Sequence, residues 1–279
     1  MFTLIQIELY KVFKKWRTYI GFIAVGLLVM LIQVAMIFEG QHTISHITRS
    51  LQDTFLFTGN LLNGYFISYL ILNAIAVHIP FLITLVAGDL LAGEATAGTY
   101  RIILTRPITR FKFITAKFLA GAIYSSLLIL FLAIVSLVAG MMIFGTGELI
   151  VMSNEGITLF AKNDILWRFL LAYCYAALGM TVVCSLAFLF SSLVENAIGP
   201  IISTMTVIIV FLIISNINIE FFQVVKPYLF TTYILDWREF FKNTLDIPGI
   251  MKAVSILFIH IIILFTLTAY LFKRKDILS

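Results

Sequence analysis

Six apolar runs, each of the length that crosses a hydrocarbon core, constrain this chain more than any motif in it. They cover 18–38, 65–88, 118–144, 169–190, 197–215 and 253–272. A bilayer core asks for roughly 20 consecutive apolar residues of α-helix. Lipid offers no partners to open backbone groups, so only helices and closed barrels cross it. Barrel strands are about ten residues long and alternate in polarity, whereas these runs are longer and apolar on all sides. Composition agrees, with 61% hydrophobic and 12% charged residues, against about 45–50% and about 25% in soluble domains. The expectation is one all-α, polytopic membrane domain over 1–279 with six transmembrane helices.

Basic residues orient the bundle. Lys11, Lys14, Lys15 and Arg17 precede the first run, and Arg101, Arg106, Arg110, Lys112 and Lys117 lie between the second and third. Lys273, Arg274 and Lys275 follow the sixth. An even number of helices puts these clusters on one side, which the positive-inside rule makes cytoplasmic, with both termini. The far side carries Arg49, Lys162 and Arg168, and a last loop where Lys226, Arg238, Lys242 and Lys252 mix with Glu220, Asp236, Glu239 and Asp246. The net charge of +5 reflects this asymmetry and gives no reason to expect nucleic acid as a partner. The first run is too long for the core of a cleavable signal peptide, and a charged amphipathic segment precedes it. Cys174 and Cys184 share one helix at roughly 15 Å separation, beyond the reach of a disulfide, about 7 Å.

Residues 1–17 read as a helix lying on the membrane. Ile5, Leu9, Val12, Phe13 and Trp16 form one face, and Glu8, Lys11 and Lys15 the other. Such a helix anchors the first span and meets anionic headgroups through its lysines; it also offers an elbow to a cytoplasmic partner. In the next loop Ile44, Ile47, Leu51 and Phe55 alternate with His42, His46, Arg49 and Asp53. The spacing of His42 and His46 suits two metal ligands, but with no third ligand nearby a solvated helix face is the better reading.

Polar groups inside membrane spans are functional candidates because burying them in lipid is costly. Here they are Gln33, Asn73, His78 and His260. His78 and His260 are expected to hydrogen-bond between helices, with a proton relay as the alternative. Pro80 is expected to kink the second span. No acidic or basic residue lies deep in a run, as an ion-coupled carrier would require.

The polar segment densest in features is 89–112. Asp89 and Glu94 put acids near the start of a short helix, where the helix dipole favours them. Tyr100, Ile103 and Leu104 would share one side of it, and Pro107 would stop it. Thr109 would then cap the helix that carries Lys112 and Lys117 into the third span. A small helix so placed passes force from a soluble partner into spans two and three. The blander reading is an inside loop made basic by topology alone.

The run from Glu94 through Gly98-Thr99-Tyr100-Arg101 and Ile102–Leu104 to Pro107, Thr109 and Arg110 resembles the signature of the type-2 ABC transporter permeases. Thr109 stands where serine is commoner in that family. The six spans, the elbow helix and the inside termini match the family plan too. The resemblance implies a permease subunit without enzymatic activity, in the plasma (inner) membrane. Two separate ATP-binding subunits would bind the ATP and magnesium, and a second permease copy or paralogue would complete the dimer. The coupling segment would comprise Glu94, Gly98, Thr99, Tyr100, Arg101, Pro107 and Arg110. The loop 216–252, with Phe221, Phe222, Tyr228, Phe230, Tyr233 and Trp237, resembles the family's outer re-entrant region, and Glu195 the position of a second inside contact. Export of a hydrophobic or amphipathic substrate is the implied activity. The chain has no phosphate-binding loop, zinc-protease motif or nucleophile elbow, so any ATP is bound by another chain. A secondary ion-coupled carrier and a non-transporting membrane scaffold are the alternatives.

Overall fold

A computed structural model of the chain describes residues 1–52, 60–98, 108–153, 156–217 and 219–275. Among these, six helices are long and apolar enough to cross a membrane, which marks a multi-pass membrane protein. Helix α1 (Phe2–Lys14) leads through an extended Lys15 into α2 (Trp16–Gln52). The second span is α3 (Gly64–Ile75), α4 (Ile79–Ala87) and α5 (Asp89–Thr96) end to end. The third is α6 (Arg110–Ala133), a π turn (Ile134–Val138) and α7 (Ala139–Phe144). A hairpin of β1 (Leu149–Ser153) and β2 (Gly156–Phe160) precedes α8 (Leu166–Leu193) and α9 (Ile198–Asn216). Short helices α10 (Glu220–Gln223) and α11 (Phe230–Tyr233) precede α12 (Ile247–Arg274).

Helix α8 is the centre of the bundle. Phe169, Ala172, Val182, Val183, Cys184, Ala187 and Phe188 on it are wholly buried. Small residues let helices close in where lipid gives no hydrophobic drive to associate. At Gly121 of α6 a Cβ would stand 2.7 Å from Leu90 Cδ1 and 2.9 Å from Cys184 Sγ, so α5, α6 and α8 meet at a point with no room for a methyl. On α2, by contrast, Leu27, Met30, Leu31 and Phe38 remain exposed, as suits a lipid-facing helix.

The π turn explains the polar residue in the first span. Such a turn takes carbonyls out of the regular helical ladder, and lipid offers them nothing. Gln33 on α2 donates to Val135 O at 3.2 Å, and Ser68 on α3 donates to Ser136 O at 2.9 Å. The Ser136 hydroxyl meets the Tyr173 hydroxyl of α8 at 2.6 Å. Four helices thus share one polar node inside the bundle.

Several expectations need correction. The chain is not all-α: 149–160 pairs as an antiparallel hairpin with Leu149 opposite Phe160, because its β-branched residues flank Gly156 at φ 126°. The helix of the first span runs on past 38. Helix α2 continues to Gln52, so the amphipathic pattern around Ile44 and Ile47 prolongs that helix; Phe55 and Asp53 lie outside the described residues. Span two breaks at Ala76–His78, just before Pro80 enters α4. The helix starting at Asp89 ends at Thr96, and Tyr100, Ile103, Leu104 and Pro107 lie outside the described residues. His78 bonds the Ala74 carbonyl of its own turn (3.0 Å), and His260 lies between the carbonyls of Ile256 (2.8 Å) and Tyr228 (3.1 Å). Among the described residues, neither histidine hydrogen-bonds to another span.

The loop at the far end from α1 also packs inward more than expected. Phe221 and Tyr228 are exposed, but Phe230, Trp237, Phe240 and Phe241 are buried. Phe241 stands on Tyr69 of α3 at 5.2 Å and on Phe169 of α8 at 4.8 Å. Arg168 fixes the loop by donating to the Phe240 and Lys242 carbonyls at 2.7 and 3.0 Å.

Candidate functional site

Lys117 sits about two turns into α6, where its side chain is 2% exposed. A lone buried ammonium would be strongly unfavourable, and the structure supplies two carboxylates. Its Nζ lies 2.7 Å from Glu8 Oε2 of α1 and 2.7 Å from Glu94 Oε1 of α5. Lys11 of α1 bonds the same two glutamates, Glu8 Oε1 at 2.7 Å and Glu94 Oε1 at 2.9 Å. Two cations and two anions therefore alternate around a closed ring, drawn from three separate elements. The Phe113 ring, 5.0 Å from Lys117 Nζ, covers one side.

A second ion group lies beside the first. Asp89 at the start of α5 receives Lys15 at 2.7 Å and Arg17 at 3.3 Å. Its carboxylate folds back over Gly93, where a Cβ would come within 2.4 Å of Asp89 Oδ1. The bare glycine is what leaves room for that carboxylate.

Helix α5 is held at both ends by the end of α8 and the turn that follows it as well. The Ser191 hydroxyl accepts from the Leu91 and Ala92 amides at 3.1 and 2.9 Å and donates to Gly88 O at 2.6 Å. It caps the first turn of α5 from another helix, satisfying amides that a helix start leaves open. The Thr96 hydroxyl donates to the Glu195 carbonyl at the other end. Thr109 caps α6 through the Lys112 amide at 3.3 Å, as its spacing suggests. Arg110 then donates to the Lys273 and Lys275 carbonyls at 3.0 and 2.9 Å, tying α6 to the end of α12.

Electrostatics match this geometry. Burial acts to raise the Glu8 carboxyl, but Lys117 beside it and hydrogen bonds from Lys11 and Lys117 outweigh burial and hold it below its ordinary 4.5. Burial likewise acts to lower Lys11, and its bonds to Glu8 and Glu94 prevail and raise it above 10.5. Glu8 and Lys11 are thus held in their charged forms by their ring partners. The ring suits holding elements together, and it offers no spare base or nucleophile.

The sequence-derived candidates divide as follows. Glu94 is buried and faces Lys117 and Lys11 inside the chain. Gly98 turns the backbone at φ 65°, a left-handed conformation natural to glycine. Arg110 faces the end of α12. Thr99, Tyr100, Arg101 and Pro107 lie outside the described residues. His78 and His260 stand apart from the cluster. Sequence reasoning missed Glu8, Lys11, Lys117 and Ser191 as partners of α5. A signal for them existed: Glu8, Asp89 and Glu94 are acids on the end of the bundle where bases dominate, and acids there imply internal pairing.

Comparison with known proteins places the chain without assigning it an activity. The uncharacterized protein YhcI of Bacillus subtilis (strain 168) is 24% identical over 204 residues, which are 69% of this chain and 63% of that protein. The chain thus spans less than two thirds of the length of that relative. A profile described as a protein of unknown function, DUF2705, matches residues 26–278, from the middle of α2 to beyond the end of α12. With nearly its whole length covered by that profile, the chain belongs to the DUF2705 family.

Proposed function

We propose that this protein is the membrane-spanning permease subunit of an ATP-driven ABC exporter. It would lie in the plasma (inner) membrane with both termini cytoplasmic, paired with a second permease and with two separate ATP-binding subunits. One observation carries the reading beyond the sequence resemblance. Helix α5, which leads straight into 99–107, is clamped by ion pairs to α1, α2 and α6 and by hydrogen bonds to the end of α8 and the turn that follows it. A push on 99–107 would not be absorbed in a slack loop; it would reach most of the bundle at once.

In this reading the partner's nucleotide-bound state prefers one position of 99–107, and that differential affinity supplies the work of the conformational change. Glu94 acts from inside, as the link between α5 and Lys117, and the docking contacts fall to residues after Gly98. Arg101 is the foremost of these. A hydrophobic or amphipathic substrate would pass at the interface between the two permeases. The ion ring speaks against a secondary carrier, since its charges are matched and lie at the end of the bundle instead of at mid-span.

Gentle purification of the tagged protein from its native membrane is expected to bring down an ATP-binding subunit in stoichiometric amount. In Gly98→Ala/Arg101→Ala that subunit should be lost while the helical circular-dichroism spectrum is kept. The glycine change alone strains one residue by about 1–2 kcal/mol, too little to unfold the bundle. A chain that comes down alone, or a double variant that retains its partner, would contradict the reading.

A further inference from the structure

Between α1, α5 and α6 lies a cleft of about 480 Å³, lined by Lys11, Lys14, Lys15 and Lys117 together with Glu8 and Glu94. Four lysines face two glutamates there, and with Lys15 paired to Asp89 just beyond the lining one positive charge is in excess. Val12, Leu90 and Ala97 give the same cleft apolar walls. We propose that it is a binding site for the phosphodiester headgroup of an anionic membrane lipid, with the first methylenes of the lipid on the apolar wall.

The ion pairing leaves donors for such a ligand. An ammonium offers three. Lys11 directs two at glutamates and keeps its side chain 38% exposed, and Lys15 directs one at Asp89 and is 46% exposed. Lys14 is exposed, and among the described residues it has no ion-pair partner. Its free charge at the mouth of the cleft is the one that the protein itself leaves unmatched.

Surroundings favour a lipid over a soluble anion. Helix α1 exposes Phe2 (72%) and Tyr10 (69%), and the start of α2 exposes Trp16 (72%), large amphipathic or aromatic groups that settle at the headgroup level of a bilayer. That depth brings the cleft level with lipid phosphates. A volume of this order fits a small polar ligand but not a folded partner. The site stands on this geometry alone and is independent of whether ATP drives the protein.

The test uses purified full-length protein in mild detergent, titrated with short-chain phosphatidylglycerol, phosphatidylcholine of equal chain length, or inorganic phosphate. Thermal unfolding and native mass spectrometry are the readouts. Phosphatidylglycerol should raise the unfolding temperature and appear as a bound adduct, and the other two should not. Lys14→Gln, which breaks no ion pair, should raise the half-saturating lipid concentration about fivefold, and Lys14→Arg should restore it. An equal response to phosphatidylcholine, or a lipid response unchanged in Lys14→Gln, would overturn the proposal. An equal response to inorganic phosphate would keep phosphate recognition but overturn the lipid as its source. Loss of a co-purifying subunit from Lys14→Gln with an unaltered lipid response would give the cleft to a soluble partner and overturn it too.

Discussion

Lys117→Met is expected to destabilise the protein by about 3–5 kcal/mol, because it removes the cation that two buried carboxylates share. Methionine fills the space of the lysine stem, so the loss reflects charge more than packing. Of the ring's two cations only the partly exposed Lys11 would then remain beside Glu8 and Glu94. Adding Glu8→Gln to Lys117→Met should recover much of the stability, since fewer unmatched charges remain. Thermal unfolding in one fixed detergent measures both variants; equal unfolding temperatures for wild type and Lys117→Met would refute the account of the ring. The wild-type ring also sets a pH window. Glu8 is depressed, so its contribution is present above 4.5 and fades as pH falls through its lower folded value. Lys11 is raised, so its contribution is present below 10.5 and fades as pH climbs through its higher folded value. Between those limits the ring should give a flat stability profile, and Lys117→Met should tilt its acidic half.

Gly64→Ala should damage the fold by about 3 kcal/mol or more, the upper end for overpacking. A Cβ there would stand 2.4 Å from Met141 N and 2.5 Å from Gly140 C. These are backbone atoms of α7, so no side chain can swing aside. Asn63 pins the same spot, accepting from the Tyr65 and Phe66 amides at 3.0 and 3.2 Å and donating to Glu148 O at 2.7 Å. Spans two and three would have to part where they are tied. Gly140→Ala is the control, for its Cβ would approach only to 3.2 Å of Gly64 O. The amount of folded protein recovered from membranes should drop sharply for Gly64→Ala and little for Gly140→Ala. Equal recovery would mean that α3 and α7 are less tightly apposed than described.

The six spans were legible because length and uniform hydrophobicity are local properties of each run. Their ends were less so. Helix α6 begins at Arg110, and α12 at Ile247, because helices run on past the apolar stretch into capped polar turns, at Thr109 and at Asp246. The hairpin at 149–160 escaped notice because five-residue strands carry little periodic signal beside long membrane helices. The three-part second span was only hinted at by Pro80. At the site, periodicity put Glu8 on the polar face of α1, which is where it lies, but polar did not mean solvated. Its distant partner Lys117 is 109 positions away in sequence, the carboxylate that shares that lysine, Glu94, is 86 away, and no local pattern encodes such a meeting. The Glu94–Arg110 motif drew attention to this end of the bundle, and the structure adds that Glu94 bonds Lys11 and Lys117 of the same chain.

The central claim is that α5 and its ion ring carry motion from 99–107 to the rest of the bundle. Hydrogen–deuterium exchange on the purified protein together with its proposed ATP-binding partner, with and without a non-hydrolysable ATP analogue, tests it most directly. In the wild-type protein nucleotide should change exchange in the far loop, 219–246, at the opposite end from the ring. In Glu8→Gln/Glu94→Gln/Lys117→Met, which removes the three buried charges together, the ATPase should still bind but that distant change should disappear. A far loop that responds to nucleotide equally in both proteins would contradict the account.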